Sequence, residues 1–160
     1  IPRKGGNTEF ADMRAAYDAL DADMKQQVEG LICEHSQIYS RGKIGFTDLT
    51  DEERARFAPV RQVLVRSHPV TGRKSLYLSS HAGSVLGQPG PEGNIFLQDL
   101  IEHATQRQFV YAHEWQVGDL VIWDNRQTMH RARPFHFAEP RDMRRTTLAG
   151  DGPTVPISPP

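Results

Sequence analysis

One hundred and sixty residues, 38% of them hydrophobic and 24% charged, are enough for one soluble domain with a real core. A formal net charge of −1 excludes the basic face that a nucleic-acid binder carries, and no apolar run approaches membrane-spanning length. The single cysteine, Cys33, excludes an internal disulfide, fits a reducing cytoplasmic setting, and reads as a buried structural thiol rather than a reactive one.

The chain opens Ile1-Pro2-Arg3-Lys4, with neither an initiating methionine nor a secretion signal, which reads as a processed product or a fragment. Gly5-Gly6-Asn7 predicts a turn, residues 8–11 a short strand, and Asp12 a helix N-cap. Helical spacing puts Met13, Ala16, Tyr17 and Leu20 on one face over 13–20. Asp21 or Asp23 caps a second helix whose apolar positions are Met24, Val28, Leu31 and Ile32. Residues 36–60 have weak periodicity and read as a long loop or lid, with a short helix at 51–57. Strands are predicted at 63–66 and 74–78 around a turn at 68–72, then a Gly-, Ser- and Pro-rich loop over 79–93. An amphipathic helix over 94–106 turns Phe96, Leu97, Leu100, Ile101 and Ala104 inward. Residues 109–115 and 120–123 are expected to pair as antiparallel strands around a turn at 116–119, with further strands at 128–133 and 143–148. The Pro/Gly-rich tail, 151–160, is expected to be disordered. No internal repeat is present, and short strands with helices outside them suggest a β-sandwich or jelly roll.

The chemistry concentrates in Gly118-Asp119-Leu120-Val121-Ile122-Trp123-Asp124-Asn125-Arg126, followed by His130, Arg141 and Arg145. An apolar, β-prone run ends at a polar cluster and then a single histidine, and neutral imidazole is a good iron ligand. Taken alone, a histidine near a strand end is ordinarily structural, and arginines on an edge strand are ordinarily solvated. Alternation puts Arg141, Met143 and Arg145 on one face of the predicted strand and Arg144 on the other. Guanidinium groups there suit carboxylates, which they grip in a bidentate fork. Asp124 and Asn125 read as turn residues that fix the approach to His130, and Trp123 as core.

This stretch, together with Gly5-Gly6-Asn7-Thr8-Glu9-Phe10-Ala11-Asp12-Met13-Arg14-Ala15-Ala16-Tyr17, resembles the taurine / 2,4-dichlorophenoxyacetate dioxygenase family. The resemblance runs from Ile1 to about Gly150, and many relatives have Asp where this chain has Asn7. It implies mainly β architecture with outer helices, a double-stranded β-helix (jelly roll) whose N-terminal strands are missing here. Residues 1–150 would then be the C-terminal part of a single dioxygenase domain. The implied cofactors are iron(II) and 2-oxoglutarate. By the same resemblance His130 is a metal ligand, Thr8 and Arg141 hold the distal carboxylate of 2-oxoglutarate, and Arg145 pairs with an anionic substrate. His81, in Ser79-Ser80-His81-Ala82-Gly83-Ser84, falls where the phenoxyacetate branch has a histidine near the substrate. His68 reads as a turn residue; His35, His103, His113 and His136 read as surface or packing residues.

Iron sites of this type take two histidines and one carboxylate. In the family, the first histidine and the carboxylate come from a His-x-Asp motif ahead of the Thr8 region. None of the seven histidines here has an acidic residue two positions on, so the chain offers one ligand of three, and no catalytic acid or base is assigned. His103-Ala104-Thr105-Gln106-Arg107-Gln108-Phe109-Val110-Tyr111, and His130-Arg131 with Arg133, look like the phenoxyalkanoate branch. The expectation is an enzyme when intact, inactive as this chain alone, that hydroxylates a small anionic substrate with O2 and needs neither nucleic acid nor membrane; homo-oligomerisation is open. The rivals are a taurine or alkylsulfonate dioxygenase and a non-catalytic carboxylate-binding jelly roll.

Overall fold

The computed structural model describes residues 1–150 together with Gly152, Thr154 and Val155. The strands β1 (Thr8–Asp12), β7 (Val110–His113) and β8 (Thr128–Ala132) form one antiparallel sheet with β1 in the centre. A second antiparallel sheet places β2 (Ile32–His35) between β3 (Val60–Val63) and β6 (Ala82–Val85). The hairpin β4 (Val65–Ser67) and β5 (Lys74–Leu76) stands apart as a pair. Among the described residues five α-helices accompany them: α1 (Met13–Asp18), α2 (Ala22–Val28), α3 (Gln37–Gly42), α4 (Asp51–Arg56) and α5 (Gly90–Ala104).

The first strand turns into α1 at Asp12, whose carboxylate accepts from the backbone N–H of Arg14 and Ala15. The Arg14 guanidinium grips the same carboxylate and, ahead of those backbone bonds, holds its pKa below the ordinary value. Met13, Ala16, Tyr17 and Leu20 are all buried, as helical spacing requires. They join Val28, Cys33, Leu64, Leu76, Leu97 and Leu100 in one core, where each large side chain contributes about 1.5–3 kcal/mol by leaving water. Burial pushes the Cys33 thiol up to about 12, so it stays protonated and inert.

Several predicted boundaries move. Asp21 caps α2, but the helix ends at Val28, because Gly30 adopts φ +73° and the chain turns into β2. Leu31 and Ile32 are therefore not helical; Ile32 pairs with Val63. The 36–60 segment holds α3, capped by Ser36, and α4, closed by a Thr50–Glu53 capping box. The 79–93 segment contains β6, hidden in sequence by its small residues. Residues 120–123 and 143–148 form no strand among the described residues. Leu120 and Ile122 are 85% and 86% exposed, so apolar alternation alone, without a hydrogen-bonded neighbour, does not make a strand there. Arg141, Met143 and Arg145 consequently do not share a strand face. Most of the 151–160 tail lies outside the described residues, but Thr154 is anchored. Its hydroxyl donates to Gln62 Oε1 at 2.8 Å and accepts from Val63 N–H at 2.9 Å.

Gly83 shows why β6 needs small residues. A Cβ there would lie 2.7 Å from Tyr39 Cγ, and the Tyr39 ring cannot swing away, because its hydroxyl is held by Asn94 of α5. Gly83→Ala is expected to lower stability by about 1–3 kcal/mol, the usual cost of overpacking. Thermal melting checks this, and an unchanged melting temperature would mean that α3 does not dock on β6 in this way.

Candidate active site

The central strand β1 begins at Thr8, and its pairing with β8 sets out the site. Phe10 lies opposite His130, and Thr8 lies opposite both Ala132 and His113. Directly opposed residues and alternate residues on a strand share a face, so Thr8, Phe10 and His130 project from the same side of the sheet. The pairing continues backward through a Gly5–Phe135 bridge and a bond from Gly6 N–H to the Pro134 carbonyl. Gly5, at φ +80°, leaves no room for a side chain, since a Cβ would meet the Pro134 oxygen at 2.5 Å.

The imidazole of His130 lies beside two aromatic rings that also contact each other. The Trp123 ring centroid is 5.1 Å away and that of Phe10 is 6.3 Å away. Desolvation, and secondarily the Arg145 charge, hold its pKa below the ordinary value, which keeps the ring neutral near pH 7 and its lone pair available. The residues before it build its approach. Asp124 takes the Arg126 guanidinium and backbone N–H, and its carbonyl accepts from Thr128 Oγ1 at 2.8 Å. Asn125 Oδ1 accepts from the Trp123 indole at 2.7 Å, which orients the ring that leans on His130. Trp123, expected as core, is instead half-exposed beside His130, and Asp124 and Asn125 hydrogen-bond the histidine's neighbours in the turn that leads to β8.

The guanidinium of Arg141 reaches the start of β1. Its Nη2 donates to the Gly6 carbonyl at 3.2 Å, and the group lies over the Phe135 ring at 5.5 Å. Arg145 is exposed, with its charge felt at His130. Thr8 is buried, and its hydroxyl oxygen accepts the Trp115 indole N–H at 2.9 Å. The hydroxyl proton has no acceptor among the described residues, so a buried O–H donor and a guanidinium stand at one end of the sheet that carries His130. That donor set suits a carboxylate beside a metal-bound imidazole. Among the described residues, no three His, Cys, Asp or Glu side chains are grouped as a metal ion would need.

His81 is not brought to this group. It precedes β6 in the second sheet, under α3, where its carbonyl accepts from Ser36 N–H at 2.8 Å and its Nδ1 lies 2.7 Å from Ser40 Oγ. His35, expected as a surface or packing residue, is packed within β2 against Tyr77. Its Nε2 is buried and has no partner among the described residues. His68 is the turn residue expected, with Nδ1 accepting from Val70 and Thr71 N–H. Sequence reading gave Trp115 no role and took His113 as a surface or packing residue. Trp115 meets Thr8 across 107 positions, carried near it by the pairing of Thr8 with His113 at the end of β7.

No helix among the described residues is long and apolar enough to cross a membrane. The family described as "Taurine catabolism dioxygenase TauD, TfdA family" matches residues 1–147. The chain is 49% identical over 151 residues to the alpha-ketoglutarate-dependent 2,4-dichlorophenoxyacetate dioxygenase of Cupriavidus pinatubonensis, covering 94% of this chain and 53% of that protein. It is 44% identical over 158 residues to the (S)-phenoxypropionate/alpha-ketoglutarate-dioxygenase of Sphingobium herbicidovorans, covering 94% and 55%. The crystal structure of AAD-2 in complex with Mn(II) and N-oxalylglycine superposes with a TM-score of 0.93 at 62% identity, covering 97% of this chain and 62% of that one. The chain spans about half the length of the curated relatives it matches.

Proposed function

The chain belongs to the TauD, TfdA family, and from that membership we propose that the protein containing it is an iron(II)- and 2-oxoglutarate-dependent dioxygenase acting on a phenoxyalkanoate. Residues 1–150 are the C-terminal part of its single jelly-roll domain. The remaining strands, and the two further metal ligands, come from sequence outside these 160 residues. The observation that carries this reading is the common face of Thr8 and His130, with Arg141 bonded at Gly6 beside them. The names of the two curated relatives, each an alpha-ketoglutarate dioxygenase of a phenoxy acid, support the substrate class.

In this reading His130 holds the metal through a neutral imidazole. Thr8 and Arg141 bind the distal carboxylate of 2-oxoglutarate, one by its free hydroxyl proton and the other by charge. Phe10 and Trp123 flank the imidazole and orient it. Bound iron supplies the oxidising chemistry, in which O2 and 2-oxoglutarate give succinate, carbon dioxide and one oxygen atom inserted into a substrate C–H bond. For a phenoxyacetate, insertion beside the ether oxygen gives a hemiacetal that collapses to a phenol and glyoxylate. His81 is kept as a candidate substrate contact by the family resemblance alone, since here it is held against Ser36 and Ser40. Arg145, exposed on the His130 side, pairs with the substrate carboxylate.

Arg145→Ala in the full-length protein is expected to raise the substrate KM about 10- to 100-fold, the scale of a lost charge-assisted bond. Turnover of 2-oxoglutarate without substrate should persist. Steady-state assays of phenol release and of succinate separate the two. If both activities fall together, Arg145 belongs to the co-substrate site or to the fold, and the substrate role is lost.

A further inference from the structure

Trp115 lies just beyond the last residue of β7, so strand pairing does not hold it. Its neighbours do. The His113 imidazole meets the indole edge-on, with centroids 4.5 Å apart and planes at 85°. His113 Nε2 lies 3.0 Å from Asp119 Oδ2, and the same oxygen accepts the Gln116 backbone N–H at 2.8 Å. A bond from Asp119 N–H to the Gln116 carbonyl closes that turn. The 116–119 turn thus fixes a carboxylate, the carboxylate fixes an imidazole, and the imidazole fixes an indole whose N–H ends on Thr8 Oγ1 at 2.9 Å.

An indole N–H only donates, whereas a threonine hydroxyl donates one proton and accepts at its lone pairs. The Trp115 contact therefore makes Thr8 Oγ1 the acceptor and restricts where the hydroxyl proton can point. Without it the hydroxyl is free to rotate. We propose that Trp115, braced by His113 and Asp119, is a positioning residue that aims the Thr8 hydroxyl proton at the distal carboxylate of the 2-oxoacid co-substrate. This rests on the reading of Thr8 given above. It assigns the 2-oxoglutarate affinity partly to a side chain that does not touch the co-substrate.

The test uses the full-length enzyme with iron(II). Trp115→Phe keeps a ring against His113 and removes the N–H. The 2-oxoglutarate KM is expected to rise about fivefold relative to the KM of the organic substrate, the scale of one hydrogen bond. Thr8→Val should raise it at least as much, and the double variant should be no worse than Thr8→Val alone. A loss of packing would instead lower the melting temperature and move both KM values together. Should Thr8→Val weaken 2-oxoglutarate and Trp115→Phe not, or should the two losses add in full, the positioning role is overturned while the reading of Thr8 stands. If Thr8→Val leaves 2-oxoglutarate affinity unchanged, the reading of Thr8 itself fails. A second measurement needs no Trp115 variant. The Trp115 indole 15N–1H resonance of wild-type protein should move when N-oxalylglycine is added and should shift in Thr8→Val; a resonance indifferent to both overturns the proposal.

Discussion

Replacing His130 with alanine is expected to lower dioxygenase turnover of the full-length protein by roughly a thousandfold and to reduce its bound iron. Losing a group that only braces a metal ligand typically costs about 10- to 100-fold, and a ligand itself should cost more. Stability should hardly change, because His130 is exposed on β8 and its backbone pairing with Phe10 survives the substitution. Iron content, 2-oxoglutarate decarboxylation and thermal melting, measured on one preparation, separate these effects. A variant that keeps full iron and a tenth of the activity would remove His130 from the ligand set.

The second large effect concerns acid stability and centres on His35. Burial, with a smaller contribution from His81, pushes its pKa from 6.5 down to about 4. Above pH 6.5 the ring is neutral in both the folded and unfolded chain, and its stabilisation is fully present. Between pH 6.5 and 4 the unfolded chain takes up a proton that the folded chain refuses, so stability falls as pH falls. For one proton the slope is about 1.4 kcal/mol per pH unit. From pH 7 to pH 5 this amounts to roughly 2 kcal/mol of acid loss from His35 alone. Carboxylates such as Glu29, whose pKa is lowered chiefly by Lys74, add to the loss only at lower pH, as it falls below the ordinary value of 4.5. The comparison with His35→Gln isolates the histidine. Urea midpoints at the two pH values should converge in the variant, and an equal acid loss in both proteins would refute the assignment.

Features that depend on near neighbours were legible in the sequence. The Asp12 cap, the buried face of Met13, Ala16, Tyr17 and Leu20, the hairpin around His68 and the inward stripe of α5 are all set by residues within a few positions. Features that depend on a distant partner were not. Leu120, Ile122 and Leu148 sit in strand-like sequence, yet a strand exists only where another backbone takes its hydrogen bonds. The composition of β6 suggests a loop, because its glycine serves the Tyr39 ring rather than the strand. In the candidate site, the motif around His130 named the residues, and the register of β1 with β8 places Thr8 and His130 on one face. The Trp115–Thr8 bond and the seat of His81 beneath α3 carry no local signal, since each joins segments far apart in sequence.

Tryptophan is scarce in this chain, and Trp115 and Trp123 are its only two. One ends on Thr8, and the other leans on His130. The molecule's indole emission therefore arises at the two ends of one site and nowhere else in these 160 residues. An ion held at His130 would sit beside Trp123 and drain its excited state, whereas an anion drawing the Thr8 proton would disturb the dipole at Trp115. Comparing dye-free fluorescence titrations of the full-length protein with those of its Trp115→Phe and Trp123→Phe variants can thus assign the metal response to one ring and the co-substrate response to the other.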